Sequence, residues 1–172
     1  VTEVLKSWHP STDNVDHINV YTKAKSPLGL KLTNFAHEPF WHPLLGQFES
    51  TEGLHYFLKT GRKVQEFRKL WGYKAKELGV AYCKIPNNIV LDYQFDWMFR
   101  IGLVAKITQN QELFELFIES ELPFTHYYYY GDPDSLDKCK VVNAKETGTL
   151  VTDLEDIRVF LKAGHTGLIG KK

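Results

Sequence analysis

Residues 87–107, NNIVLDYQFDWMFRIGLVAKI, are rich in apolar side chains on every side of a helical wheel. A surface helix has an apolar stripe and a polar back. A helix without a polar back has to lie inside other structure. The chain must therefore be globular and must supply enough further elements to enclose this one. Its 172 residues are 43% hydrophobic and 14% aromatic, which suits one core and a single domain over residues 1–172. The two ends, residues 1–16 and 165–172, are polar or irregular and are expected at the periphery.

The enclosing elements follow from period and punctuation. HINVY (17–21) alternates and is β-branched, which predicts a strand. Residues 23–32, broken by Pro27 and Gly29, read as a loop, and 32–46 as irregular because of Pro39 and Pro43. QFES (47–50) is a short extended lead into a helix capped by Ser50 or Thr51 and ended by Gly61. Residues 63–78 have a helical pattern with Gly79 as the stop, and 110–120 form another helix. Residues 123–132 predict a strand, 138–142 a second short one, and 152–164 an amphipathic helix with Leu154, Ile157, Phe160 and Leu161 on one face. The expected fold class is α+β, a mostly helical single domain with a small sheet.

Composition narrows the function classes. Lys plus Arg equals Asp plus Glu at 21 each, so there is no general basic footprint for nucleic acid, and any such contact is local. Cys83 and Cys139 lie far apart and have no zinc spacing, which suits a reducing compartment. With no apolar run near membrane length and no signal-like start, a cytoplasmic location and no membrane partner are expected. The phosphate-binding glycine motifs, the serine-hydrolase elbow and HExxH are all missing from the sequence.

Chemistry is most concentrated in FESTEGLHYFLKTG (48–61). Glu52 and Lys59 are seven apart, about 20° apart around a helix and about 10 Å along it. Leu54, Phe57 and Leu58 occupy the opposite side, while His55 and Tyr56 flank the pair. Two readings stay open. An acid near the N-terminus and a base near the C-terminus both suit the helix dipole, so this is an ordinary exposed face. Alternatively, the pair closes over a small ligand. His37, His42 and His55 lack the spacing of a metal site and read as surface or hydrogen-bonded histidines. In THYYYYG (125–131) the four tyrosines must alternate between faces, to fill a core or to stack on a flat ligand.

Several segments in order resemble the NADAR (YbiA-like) family: INVYT with Tyr21, LTNFA with Asn34 and Phe35, Thr51-Glu52-Gly53 followed by Lys59, and KAKELG with Ala75 and Gly79. The later THYYYYGD and TDLEDIR look like the shorter, phage-type members. The chain has Gly53 where the family often has His, and Gly79-Val80 where many members have Gly-Arg. The resemblance implies an α+β fold built largely of helices. It also implies action on N-glycosidic bonds of ADP-ribose or related ribose phosphates, such as removal of ADP-ribose from guanine in DNA, with some phage members reversing host defensive ADP-ribosylation.

On that resemblance, Glu52 stabilises the positive charge that grows on the sugar and moves protons. Lys59 attacks C1 as a neutral amine and gives a ring-opened Schiff base. This requires a depressed lysine pKa, aided by a cation such as Lys23 or Arg62. Asp92 orients Lys59 or a water. Lys23 meets a phosphate and Asn34 a ribose hydroxyl or base edge. Phe35, Trp41 or a ring of 127–130 stacks on the base. Tyr21, Tyr56 and Tyr127 complete the expected binding set. No cofactor and no metal are expected. The partner is an ADP-ribosylated nucleic acid or nucleotide, met by a monomer, in the host cytoplasm if the protein is phage-encoded. The rival expectation is a protein that holds such a nucleotide without cleaving it.

Overall fold

A computed structural model describes residues 7–143 and 149–164. The expectations for the tail at 165–172 and for the first six residues lie outside the described residues. The architecture is α+β and mostly helical, as expected. Its strands, however, form three separate two-stranded pieces among the described residues.

The all-round apolar segment does form the central helix, α4 (Phe95–Gln109), which buries Met98, Phe99 and every residue from Ile101 to Ile107. It begins at Phe95 and not at residue 87. Pro86–Asn88 make a short 3-10 turn, and the Val90 N–H then donates to the Lys59 carbonyl at 3.0 Å. This draws the chain along the end of a neighbouring helix before α4 can start. That neighbour is α2 (Thr51–Lys59), packed against α4, against α3 (Gly72–Cys83) and against a 3-10 segment at Gln65–Lys69. Ser50 caps α2: its Oγ accepts from the Gly53 N–H at 3.0 Å and donates to the Leu70 carbonyl at 2.8 Å. Seven of the nine α2 residues are buried.

Three glycines allow this crowding. A Cβ on Gly53 would lie 2.2 Å from the Phe67 carbonyl oxygen, one on Gly79 2.3 Å from the Tyr56 ring, and one on Gly102 2.2 Å from Leu54 Cδ2. Backbone of the Gln65–Lys69 segment therefore occupies the space that any side chain at Gly53 would need. Gly79 does not stop α3, which runs on to Cys83. It is the point where α3 touches Tyr56. The expected helix over 63–78 is accordingly split, with the 3-10 turn first and α3 second.

The expected loop at 23–32 contains α1 (Pro27–Leu32). Ser26 caps it through the Gly29 N–H at 2.8 Å, and Pro27 takes the first helical position, where its missing N–H costs nothing. The HINVY strand contracts to β1 (Ile18–Asn19), parallel to β4 (Phe124–Thr125). The irregular stretch and the lead into α2 hold an antiparallel hairpin, β2 (Phe40–His42) and β3 (Gly46–Phe48). The remaining pair is β5 (Tyr127–Gly131) with β6 (Cys139–Asn143). The helices α5 (Gln111–Glu119) and α6 (Thr149–Lys162) close the core with Leu113, Phe117, Leu154, Ile157 and Leu161.

Lys106 has no counterpart in the sequence reading. It lies within α4 with no solvent exposure, and its Nζ donates to the Thr33 carbonyl at 2.8 Å. Burial pushes the amine down to about 7 against the opposing pull of Glu38. The bond fastens the chain after α1 to the central helix, immediately before Asn34.

Substituting Gly53→Ala should cost about 1–3 kcal/mol by forcing a methyl against backbone. Urea unfolding of the variant beside the wild type measures it, and an unchanged midpoint would show that the Gln65–Lys69 segment yields.

Candidate functional site

The stripe containing Glu52 and Lys59 is not a wet face. Glu52 sits in the first turn of α2, 8% exposed. Its backbone N–H donates to the Asn34 carbonyl at 2.9 Å, and the Asn34 Oδ1 accepts from the Thr51 hydroxyl at 3.1 Å. No hydrogen bond or ion pair reaches the Glu52 carboxyl among the described residues. Loss of water raises it to about 7, opposed by the positive charge of Lys76. It is therefore poised between acid and carboxylate near neutral pH.

Lys59 is at the other end of the helix and half-buried. The chain leaves it through Gly61 and Arg62, both left-handed, with φ of 75° and 63°. Between acid and amine lies His55, its ring edge-on to Tyr56 (4.9 Å), Phe95 (5.4 Å) and Phe99 (6.2 Å). Burial first, and then the charge of Lys59, push the imidazole down to about 4. It is neutral at neutral pH. Tyr56 lies under α3 and is buried. One face of α2 thus carries an acid, a neutral imidazole, a phenol and an amine.

Asn34 and Phe35 reach the acid end through the turn after α1. The Tyr73 ring meets Phe35 edge-on at 5.1 Å, and Lys76 Nζ stands 5.6 Å from the Phe35 centroid. Tyr21 is next: burial raises its pKa, and the neighbouring phenols of Tyr130, Tyr129, Tyr128 and Tyr73 raise it further. Its ring packs edge-on against Tyr128 at 5.2 Å and Tyr129 at 5.7 Å. Glu52, Asn34, Phe35, Tyr56 and Tyr21 thus fall in one connected neighbourhood.

Three expected residues sit differently. Tyr127 faces the interior, and its hydroxyl is 2.7 Å from His17 Nε2, so it offers no open face for stacking. The outward rings of that strand are Tyr128 and Tyr130. Asp92 lies at the Lys59 end, where its Oδ2 accepts from Arg62 Nη2 at 2.9 Å and its Oδ1 from the Gln94 N–H at 2.9 Å. Those bonds, the Gln94 N–H first, hold its pKa below the usual carboxylate value. Arg62 is correspondingly paired with Asp92. Lys23 is exposed on the tyrosine side, where its carbonyl accepts from the Tyr129 hydroxyl at 2.9 Å. The histidines are dispersed: His42 is buried on the Met98 carbonyl, and His37 stacks on Trp71 at 4.0 Å. Among the described residues no cluster of His, Cys, Asp or Glu has metal-binding form, and no helix is long and apolar enough to cross a membrane.

The fold as a whole matches that of a solved protein. The fold is that of YbiA. The solution structure of this E. coli protein matches with a TM-score of 0.60 at 16% identity, covering 96% of this chain and 93% of YbiA. No family model matches the chain, and no curated protein sequence does. The likeness to YbiA bears out the fold expected from the sequence.

Two residues beside Phe35 escaped the sequence reading. Tyr73 and Lys76 flank Ala75, which marked the KAKELG segment. In the structure Ala75 is buried while Tyr73 and Lys76 are exposed, a division that no local sequence pattern marks. His55 was seen to flank the pair, but nothing in its spacing tells how dry its surroundings are.

Glu52→Gln should stabilise the protein in a pH-dependent way. The folded-state pKa is raised, so the wild type is favoured below the unfolded value near 4.5 and loses that advantage as pH rises through about 7. The variant's gain should be small at pH 4.5 and on the order of 2–3 kcal/mol at pH 8. Thermal unfolding across that range tests it, and a gap independent of pH would contradict a dehydrated acid.

Proposed function

We propose that the protein is an N-glycosidase that hydrolyses the bond between ADP-ribose, or a related ribose phosphate, and a base. The preferred substrate in this reading is ADP-ribosylated guanine in DNA, and the biological setting is phage reversal of a host defence. The observation that carries the proposal is Glu52: a dehydrated carboxyl without a protein partner among the described residues, raised to about 7, on the same helix face as Lys59. The YbiA fold and the ordered resemblance to the NADAR family support the same assignment.

The reaction follows from the two groups. Protonated Glu52 gives its proton to the departing base nitrogen, and its carboxylate then faces the positive charge left on C1. The Lys59 amine forms a bond to C1 as the base leaves. The sugar ring opens to a Schiff base, water adds to the imine carbon, and the amine departs to leave free ADP-ribose. Asn34 meets a ribose hydroxyl, and Phe35 and Tyr21 provide ring surfaces. One observation favours the alternative of a nucleotide-holding protein without catalysis. Asp92, expected to orient Lys59 or a water, is engaged by Arg62 and the Gln94 N–H.

The deciding experiment is a substrate panel: ADP-ribosyl-guanine DNA, ADP-ribosyl-thymidine DNA, NAD and riboflavin precursors. Glu52→Gln and Lys59→Ala should each reduce release by 100-fold or more, about the span of general acid–base catalysis. Full activity in either variant overturns its role. Borohydride added during turnover should leave a covalent adduct on Lys59, and an unmodified Lys59 in mass spectra would point to direct attack by water. Binding of ADP-ribose without release from any substrate would select the non-catalytic reading.

A further inference from the structure

Tyr73 and Lys76 stand one turn apart on α3, both exposed, at the Glu52 end of the α2 stripe. Tyr73 is 76% exposed, and its ring approaches Phe35 at 78°, leaving most of its surface open. The Lys76 ammonium rests near the Phe35 ring. Its charge is felt by the Glu52 carboxyl, yet among the described residues no ion pair joins the two. Phe35 is fixed in turn. Its N–H donates to Thr33 Oγ1 at 3.0 Å, Lys106 holds the Thr33 carbonyl, and Asn34 holds the Glu52 N–H. A cation with no ion-pair partner among the described residues, beside one exposed and one half-buried ring on a fixed backbone, offers an anion contact and a stacking surface within one ligand's reach.

We infer that Phe35, Tyr73 and Lys76 form a subsite for the phosphate and flat heterocycle of a nucleotide. Lys76 contacts a phosphate oxygen, and the two rings pack against the heterocycle. The subsite deepens the proposed function and rests on it for the identity of the bond presented to Glu52. Lys23, the residue to which the sequence assigned phosphate, lies on the tyrosine strand side, and no aromatic ring underlies its ammonium among the described residues. It serves as the control.

Isothermal titration of the purified protein with AMP and with adenosine tests the subsite. The wild type should bind AMP about tenfold more tightly than adenosine, the worth of one charge-assisted contact. Lys76→Gln should bring that ratio close to one, Lys76→Arg should keep most of it, and Tyr73→Ala should weaken both ligands together. All these side chains are exposed, so circular dichroism should be unchanged. The inference is overturned if Lys76→Gln keeps the wild-type ratio, if Lys23→Gln removes it instead, or if the wild type binds no AMP at millimolar concentration. Titration needs no turnover, so the two readings fail separately. AMP binding that depends on Lys76, with no release from any panel substrate, keeps the subsite and ends the glycosidase. Release of ADP-ribose with a ratio indifferent to Lys76 does the reverse.

Discussion

A nine-residue helix is marginal by itself in water, because nucleation costs more than so few turns return. The helix α2 exists because structure surrounds it: α4 on one side, α3 on another, and the Gln65–Lys69 backbone over its first turn. Glycines at the three contacts bring these elements closer than any side chain would allow. The same crowding strips water from the polar groups that α2 carries. Glu52 acquires its raised pKa from the packing that makes the helix possible, so stability and candidate chemistry have one source.

The dehydration is not confined to the acid. His55 on α2 and Lys106 on α4 are also pushed toward their neutral forms by burial. Lys106 has a specific structural consequence. Its bond to the Thr33 carbonyl anchors a turn whose next residue, Asn34, receives the Glu52 N–H and the Thr51 hydroxyl. A chain of hydrogen bonds therefore runs from the middle of the core to the backbone of the candidate acid. The Thr33 carbonyl also accepts from the Ala36 N–H at 3.2 Å, so loss of Lys106 would leave the turn its own bond and cut its tie to α4.

The sequence showed those features whose signals are local. The Ser50 cap, the α6 stripe through Leu154, Ile157 and Leu161, and the alternation of the tyrosine strand are each set by a few neighbouring residues, and each appears as read. Other features depend on distant contacts. Pro27 and Gly29 read as loop punctuation, yet Ser26 and Pro27 make a sound helix start once Leu28 and Leu32 have a core to enter. Gly79 reads as a stop but is a packing contact with Tyr56, which no local rule conveys. The start of α4 moved because Val90 pairs with Lys59, far away in sequence. At the candidate site, the Glu52 and Lys59 spacing was visible, but the dryness around them, the inward turn of Tyr127 and the company of Tyr73 and Lys76 all needed the third dimension.

The exposed rings and Lys76 outside the core have a different standing from α2. Tyr73, Lys76, Tyr128 and Tyr130 support nothing in the core, whereas Gly53, Gly79 and Leu54 tolerate almost no change. A lineage built on this scaffold is free to rewrite its outer ring of contacts without loosening the interior. Surface character and folding robustness therefore rest on separate residues. Substitution at these outer positions would repaint the surface of the fold and leave the interlocked interior around α2 as it is.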